Sequence, residues 1–298
     1  MRGVVVIISF LLLASEFHPL QARTKWYKET RDAIYLDTML LRLTYLKTFR
    51  ETREDSTYKK DIYYLSLGTE VSAFVTAAWD YAKKQTDQYF ANNPFALQEI
   101  SQEKYMTSIR NQYSCEQEEY YSNFPNMGQL TLFTAFLKVP CGPWYYYSEP
   151  METIEWESED GDSIVCGYSC HCSSTTFRGV KWRVWYTLDI PMQEGPWKLR
   201  GLPGLIMKAT DNRGDFDFTA IEVSKSGGLI HHPVLNYERI SPRQYWDYMV
   251  LKYKDRPRLL RLFYGAERTE AFMEQMSRYM NVSIKTENKT ACLMEIRP

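Results

Sequence analysis

An α+β fold dominated by one curved, antiparallel, half-barrel-like sheet with a few packed helices is what this sequence predicts, on three observations. The 298-residue chain carries 23 tyrosines and 8 tryptophans, flat amphipathic side chains that suit the faces of pleated sheets. Between residues 180 and 190, Val180, Trp182, Val184, Tyr186, Leu188 and Ile190 share one parity while Lys181, Arg183, Thr187 and Asp189 share the other, the pattern of a half-buried strand. Past residue 240 the period becomes helical. A single sheet of about seven to ten strands is expected.

The elements follow in order. Met1-Arg2, an apolar run over residues 3–14 and a polar stretch ending at Ala22 have the layout of a secretory signal peptide. The run is shorter than the roughly 20 residues a membrane-spanning helix needs. Residues 23–298 are therefore expected as one exported domain, periplasmic or secreted, without an integral membrane segment. Residues 40–49 and 61–67 read as strands separated by a charged turn. Val71, Phe74, Val75, Ala78, Trp79 and Ala82 recur at spacings of three and four, which predicts an amphipathic helix over 71–84. A polar insertion is expected near 85–128.

Short aromatic runs broken by Gly and Pro follow from residue 131. Residues 204–209 and 215–223 read as a hairpin joined by "TDNRG", whose Asp, Asn and Gly tolerate turn dihedrals. His231-His232 is expected in an exposed loop. Ser241, Pro242 and Gln244 form a capping-box start, with Tyr245, Met249 and Tyr253 on one helical face and Pro257 as the stop. A second helix is expected over 266–280.

Six cysteines follow the leader: Cys115, Cys141, Cys166, Cys170, Cys172 and Cys292. In an oxidising compartment an even count favours disulfides. Read as one uninterrupted strand, "SIVCGYSCHCSSTTF" at 163–177 points Cys166, Cys170 and Cys172 to the same face, too far apart or too poorly directed to bond to one another. Each would then pair with Cys115, Cys141 or Cys292. A soft-metal site built from Cys166, Cys170, His171 and Cys172 is the alternative, and it suffers because His171 has the opposite parity. No metal and no cofactor is expected.

Known catalytic signatures are absent from the sequence: there is no G-x-S-x-G elbow, no H-E-x-x-H helix, no phosphate-binding loop and no G-x-G-x-x-G fingerprint. The acidic run Glu155, Glu157, Glu159, Asp160 and Asp162 lacks the ordered ligand spacing of a calcium loop. A formal net charge of -1 with interspersed signs gives no electrostatic footprint for nucleic acid.

The stretch "EGPWKLRGLPGLIM" at 194–207 is apolar and conformationally stiff. Pro203 and Gly204 read as the centre of a type II turn, with Gly204 supplying a positive φ. Pro191 and Pro196 bar regular ladder pairing. The loop is either a plug over one end of the sheet or a preorganised apolar lip. "GLPGLI" at 201–206, within the block "GYSCHCSSTTFRGVKWRVWYTLDIPMQEGPWKLRGLPGLIMKATDNRGDF", resembles the GLPGLI family, with weaker similarity reaching back to "DTMLLRLTYLKTF" and "LSLGTEVSAF". The resemblance implies an exported Bacteroidota protein and brings no settled activity with it. The chain departs from the family's common pattern at Cys172 and at Leu199-Arg200.

The function expected from these features is a non-catalytic binding or carrier protein for an apolar ligand or a peptide or protein partner in the cell envelope. Its binding residues would be Trp197, Leu199, Gly201, Leu202, Pro203, Gly204, Leu205 and Ile206. The alternative is a periplasmic enzyme or metal-handling protein using the Cys166–Cys172 segment.

Overall fold

The computed structural model describes residues 33–77, 118–134, 144–225, 227–233, 237–267, 269–270, 273–274 and 290–295. The leader, Cys115, Cys141, the expected helix from residue 78 on, the expected insertion up to 117 and much of the expected 266–280 helix lie outside them. In chain order the strands are β1 (Ala33–Thr38), β2 (Leu41–Phe49), β3 (Lys59–Leu67), β4 (Ser72–Thr76), β5 (Glu118–Ser122), β6 (Gln129–Thr134), β7 (Trp144–Pro150), β8 (Glu157–Val165), β9 (Tyr168–Phe177), β10 (Val180–Thr187), β11 (Leu205–Asp211), β12 (Phe216–Lys225), β13 (Leu229–Pro233) and β14 (Tyr237–Arg239). Two helices follow, α1 (Pro242–Lys254) and α2 (Arg256–Tyr264).

Twelve strands form one open sheet in the order β14-β7-β6-β5-β4-β3-β2-β12-β11-β10-β9-β8, and β1 pairs with β13 in a separate two-stranded sheet. Every pairing is antiparallel except β14 with β7. The α+β expectation is therefore corrected. Among the described residues the protein is mostly β, sandwich-like, with a sheet that does not close and two complete helices.

The correction turns on residues 72–76, which form β4 rather than the start of a helix. Phe74 packs into one apolar cluster and Ala73 into another, with Val75 beside it. A strand buried on both faces reads as a continuous apolar run, and in such a run helical spacing carries no information.

Those two clusters occupy opposite faces. On β4, β5 and β6 the residues Phe74, Tyr120 and Leu132 join the larger cluster, while their neighbours Ala73, Tyr121 and Phe133 join the smaller. The smaller one is covered by β1 and β13, which contribute Leu36 and Ile230. His231-His232 is accordingly not in an exposed loop. The pair lies in β13 with His231 outward and His232 buried at 4% exposure.

The larger cluster lies under α1, α2, the 191–204 loop and the segment 290–295. Ser241 caps α1 with a complete capping box, as its sequence predicts. Pro257 stops α1 but also starts α2, where Asp255 accepts the Arg258 N–H at 3.1 Å as N-cap. The described residues of 266–274 are helical. No helix among the described residues is long and apolar enough to cross a membrane.

The 163–177 segment is a hairpin, not one strand. β8 ends at Val165, Cys166 and Gly167 turn with φ of 50° and 83°, and β9 begins at Tyr168. Cys166 is exposed at the tip, whereas Cys170 and Cys172 are buried on β9. The cysteines at 166, 170, 172 and 292 are free thiols. The end of the expected insertion, Glu118–Ser122, is a buried central strand.

Candidate functional site

The 191–204 loop folds back over the sheet. The Leu205 N–H donates to the Ile190 carbonyl and the Ile206 N–H to the Glu194 carbonyl, both at 3.0 Å, closing its neck. The Tyr45 hydroxyl, fully buried on β2, donates to the Ile206 carbonyl. Trp197, Leu199, Leu202, Leu205 and Ile206 are all buried, and Gly201 and Pro203 are exposed. Trp197 packs its ring 5.5 Å from Trp182 and 5.8 Å from Phe177. The structure thus places the loop's apolar side chains in the core.

Two glycines make the fold-back feasible for different reasons. Gly201 adopts φ +90°, a region that disfavours any side chain. Gly204 does not have the positive φ that a type II turn would require. Its constraint is space, since a Cβ there would lie 2.0 Å from the Thr187 carbonyl oxygen.

Lys198 carries the loop's only buried cation. Its ammonium, 3% exposed, lies 2.9 Å from Glu149 and 3.1 Å from Glu295, and donates to the Tyr147 hydroxyl at 3.1 Å. Arg178 joins the same group through Glu149 at 3.0 Å, Glu295 at 2.8 Å and Glu152 at 2.5 Å. Burial opposes the charge on Lys198, but Tyr147, Glu295 and Glu149 together outweigh it and raise its pKa. Burial likewise opposes the Glu295 carboxylate, and Lys198 and Arg178 overcome it and lower its pKa. Lys198 and Glu295 each favour the charge of the other, as the partners of a buried ion pair must.

Beside this cluster, a cleft opens between the sheet and α1. It is lined by Lys47 and Phe49 of β2, Glu118 and Tyr120 of β5, Phe216 of β12, Trp197 of the loop, Tyr245, Trp246, Met249 and Tyr253 of α1, and Cys292 to Glu295. Lys47 is 1% exposed. Its ammonium sits 4.5 Å from the Phe49 ring centre, with Tyr63, Phe216 and Phe218 at 5.4, 5.6 and 5.8 Å. Such a cage stabilises a desolvated cation by about 2 kcal/mol.

Glu118 accepts hydrogen bonds from Tyr245 at 2.5 Å and Tyr120 at 2.8 Å. Burial, then the Glu118 charge, raises the pKa of both tyrosines, so both hydroxyls stay protonated donors. The Trp246 indole Nε1 is buried with no hydrogen-bond partner. The cleft's interior volume is about 30 Å³, room for one or two waters.

The cysteine segment is built for packing. Burial pushes the Cys170 thiol pKa up, and burial followed by Asp215 pushes that of Cys292 to about 12. Both shifts disfavour the thiolate that nucleophilic or metal chemistry needs. The Arg183 Nε donates to the Cys172 sulfur at 3.1 Å, and His171 pairs outside with Asp162 at 3.2 Å. No group of three or more His, Cys, Asp or Glu side chains among the described residues is placed to hold a metal ion.

Of the candidate binding and cysteine residues read from the sequence, the structure brings Trp197 and Cys292 to the cleft, and the helical face of Tyr245, Met249 and Tyr253 lines it as well. Lys47, Glu118, Lys198 and Glu295 went unread. Lys47 had a legible signal: it stands at the same parity as Leu43, Tyr45 and Phe49, a charge where alternation calls for an apolar side chain.

Fold and site together define an open, mostly antiparallel sheet protein with an aromatic cleft under its helices. A family model described as "Protein of unknown function (Porph_ging)" matches residues 78–208, a stretch that includes the cysteine hairpin and the GLPGLI loop. That description is compatible with the resemblance seen in the sequence and adds no activity. A search of curated proteins finds no match. Among solved structures, PNGF-II in a C2 crystal is similar with TM-score 0.45 and 14% identity, covering 72% of this chain and 33% of that one. PNGF-II in a P21 crystal is similar with TM-score 0.47 and 16% identity, covering 72% of this chain and 34% of that one. The chain thus spans about a third of the length of these structures.

Proposed function

We propose that the protein is an exported, non-catalytic binding protein that takes an apolar segment of a peptide or protein partner in the cleft between α1 and the sheet. The GLPGLI loop supports this site rather than forming its contact surface, because its apolar side chains are buried and it seats Trp197 in the cleft wall. Export rests on the leader-like residues 1–22.

The observation that carries the reading is the Trp246 indole N–H, a buried donor in the cleft wall without a partner. Native proteins satisfy the large majority of buried polar groups, so an orphan in a cleft calls for an acceptor from elsewhere. A peptide carbonyl supplies one. The surrounding aromatic rings supply the low-entropy apolar surface that enriches binding hot spots.

The test is to pan a random peptide library against the full chain and to measure the selected peptide on wild type and on Trp246→Phe. That variant keeps a ring and deletes the N–H. About fivefold weaker binding is expected for the lost hydrogen bond. Failure of the folded wild type to retain any peptide or apolar dye, or equal affinity of the two proteins, would overturn the proposal.

A further inference from the structure

As it stands the cleft holds little more than water, so an occupant must displace something that now covers it. The two covers are α1 and the segment 290–295. α1 is a capped 13-residue helix that buries Tyr245 and Met249. The segment is attached differently. Among the described residues its only ladder contact is an isolated bridge from Ala291 to Thr52. Around that bridge the Arg53 N–H donates to the Thr290 carbonyl at 3.0 Å and the Cys292 N–H to the Glu51 carbonyl at 2.9 Å. Further along, Arg213 donates to the Leu293 carbonyl at 2.6 Å, and the Thr290 N–H reaches exposed Glu54 at 3.0 Å.

The anchor at the far end is the Glu295 carboxylate between Lys198 and Arg178. The site that receives it does not depend on it. With Glu295 gone, Lys198 still holds Glu149 and Tyr147, and Arg178 still holds Glu149 and Glu152. Two cations then face two carboxylates, so departure strands no buried charge and leaves a preformed carboxylate socket. Beside the socket, Leu293 and Met294 lie in the aromatic cleft.

We propose that segment 290–295 is an internal stand-in for the partner, and that the partner is an extended peptide with apolar residues followed by an acidic one, which displaces the segment and puts its carboxylate between Lys198 and Arg178. This rests on the binding function proposed above and adds the partner's chemistry and its regulation. When the competent state is only partly populated, apparent affinity falls by the populated fraction. Loosening the segment therefore raises affinity for a competitor without touching the cleft.

The experiment uses the full chain and a fluorescein-labelled peptide copying residues 290–295 with Cys292→Ser. Two chain variants are compared with wild type. Glu295→Gln weakens the anchor, and Glu54→Ala removes the exposed tether and leaves every buried charge in place. Glu295→Gln is expected to bind the peptide about tenfold tighter than wild type, and Glu54→Ala severalfold tighter. The same peptide carrying Glu295→Gln should fail to compete. Equal affinity of wild type and Glu54→Ala, or equal competition by the neutral peptide, would overturn the inference. The Glu54→Ala comparison decides the matter if Glu295→Gln does not fold. Retained binding of a library-selected peptide with no dependence on the segment would leave the cleft reading intact and remove this one; loss of all binding would remove both.

Discussion

Mild acidification, from about pH 7.5 to 5, should destabilise this protein through His232. Its ring stacks on Phe133 at 3.9 Å and meets Tyr121 at 5.1 Å and Tyr237 at 5.2 Å, and neither ring nitrogen has a hydrogen-bond partner. Glu119 lies 3.8 Å from Nδ1 and would favour a charged ring, but that carboxylate already accepts the Tyr121 hydroxyl at 3.0 Å. Burial, followed by the neighbouring His231 charge, lowers the His232 pKa from 6.5 to about 3. A folded-state pKa below the unfolded one means the unfolded chain binds the proton better. The His232 contribution is therefore complete above about pH 6.5, is lost progressively as pH drops below it, and is fully lost near pH 3.

At about pH 5 the imidazole is some 1.5 units below its unfolded pKa, and at 1.36 kcal/mol per unit the loss is about 2 kcal/mol. That is a substantial part of a typical domain stability of about 5 to 15 kcal/mol. Urea unfolding at about pH 7.5, 6 and 5 measures it through the midpoint at constant slope. His232→Phe keeps an aromatic ring in the stack and removes the titration, so its stability should stay flat over the same range. Asp37 does not interfere. Burial works against its charge, but the Glu70, Val71 and Thr38 amides and the Thr69 hydroxyl lower its pKa from 3.8 to about 2, so its contribution is present above pH 3.8 and lost only below that. A wild-type loss under about 0.5 kcal/mol, or the same loss in His232→Phe, would refute the reasoning.

Two further outcomes are expected. Leu202 is 5% exposed in the loop, so Leu202→Ala should cost about 2 to 5 kcal/mol and Leu202→Asp more, read as a steep fall in melting temperature; a melting temperature unchanged by the aspartate would show that the loop is not a plug. Native alkylation with iodoacetamide, mapped by peptide mass, should modify exposed Cys166 readily and leave buried Cys170 and Cys172 unmodified until denaturant is added. Protection of Cys166 in the native protein would contradict the free, exposed hairpin tip.

Much of the local structure is legible in the sequence. The alternation from Val180 to Tyr186 marks β10 because one of its faces is buried and the other is wet. The turn residues between β11 and β12 mark their hairpin, and Ser241, Pro242 and Gln244 mark the start of α1, because turns and caps are satisfied by atoms a few residues away. The stiffness of the GLPGLI loop was equally legible from its prolines and glycines.

What the sequence hid depends on neighbours distant in the chain. The Cys166-Gly167 turn breaks a segment whose parity suited a single strand. β4 imitates a helix because tertiary burial on both faces erased its period. His232 reads as a loop residue until β13 is laid across Phe133 and Tyr121. Lys198 and Glu295 stand 97 residues apart, and neither has a local reason to be buried. Local propensity, caps and turn chemistry are short-range effects, and the sequence by itself determined them. Which strands adjoin, which faces are covered and which charges are buried together follow from the summed free energy of contacts between remote segments. Only the tertiary structure decided those, because a charge can be kept in a core only after all its partners have arrived there.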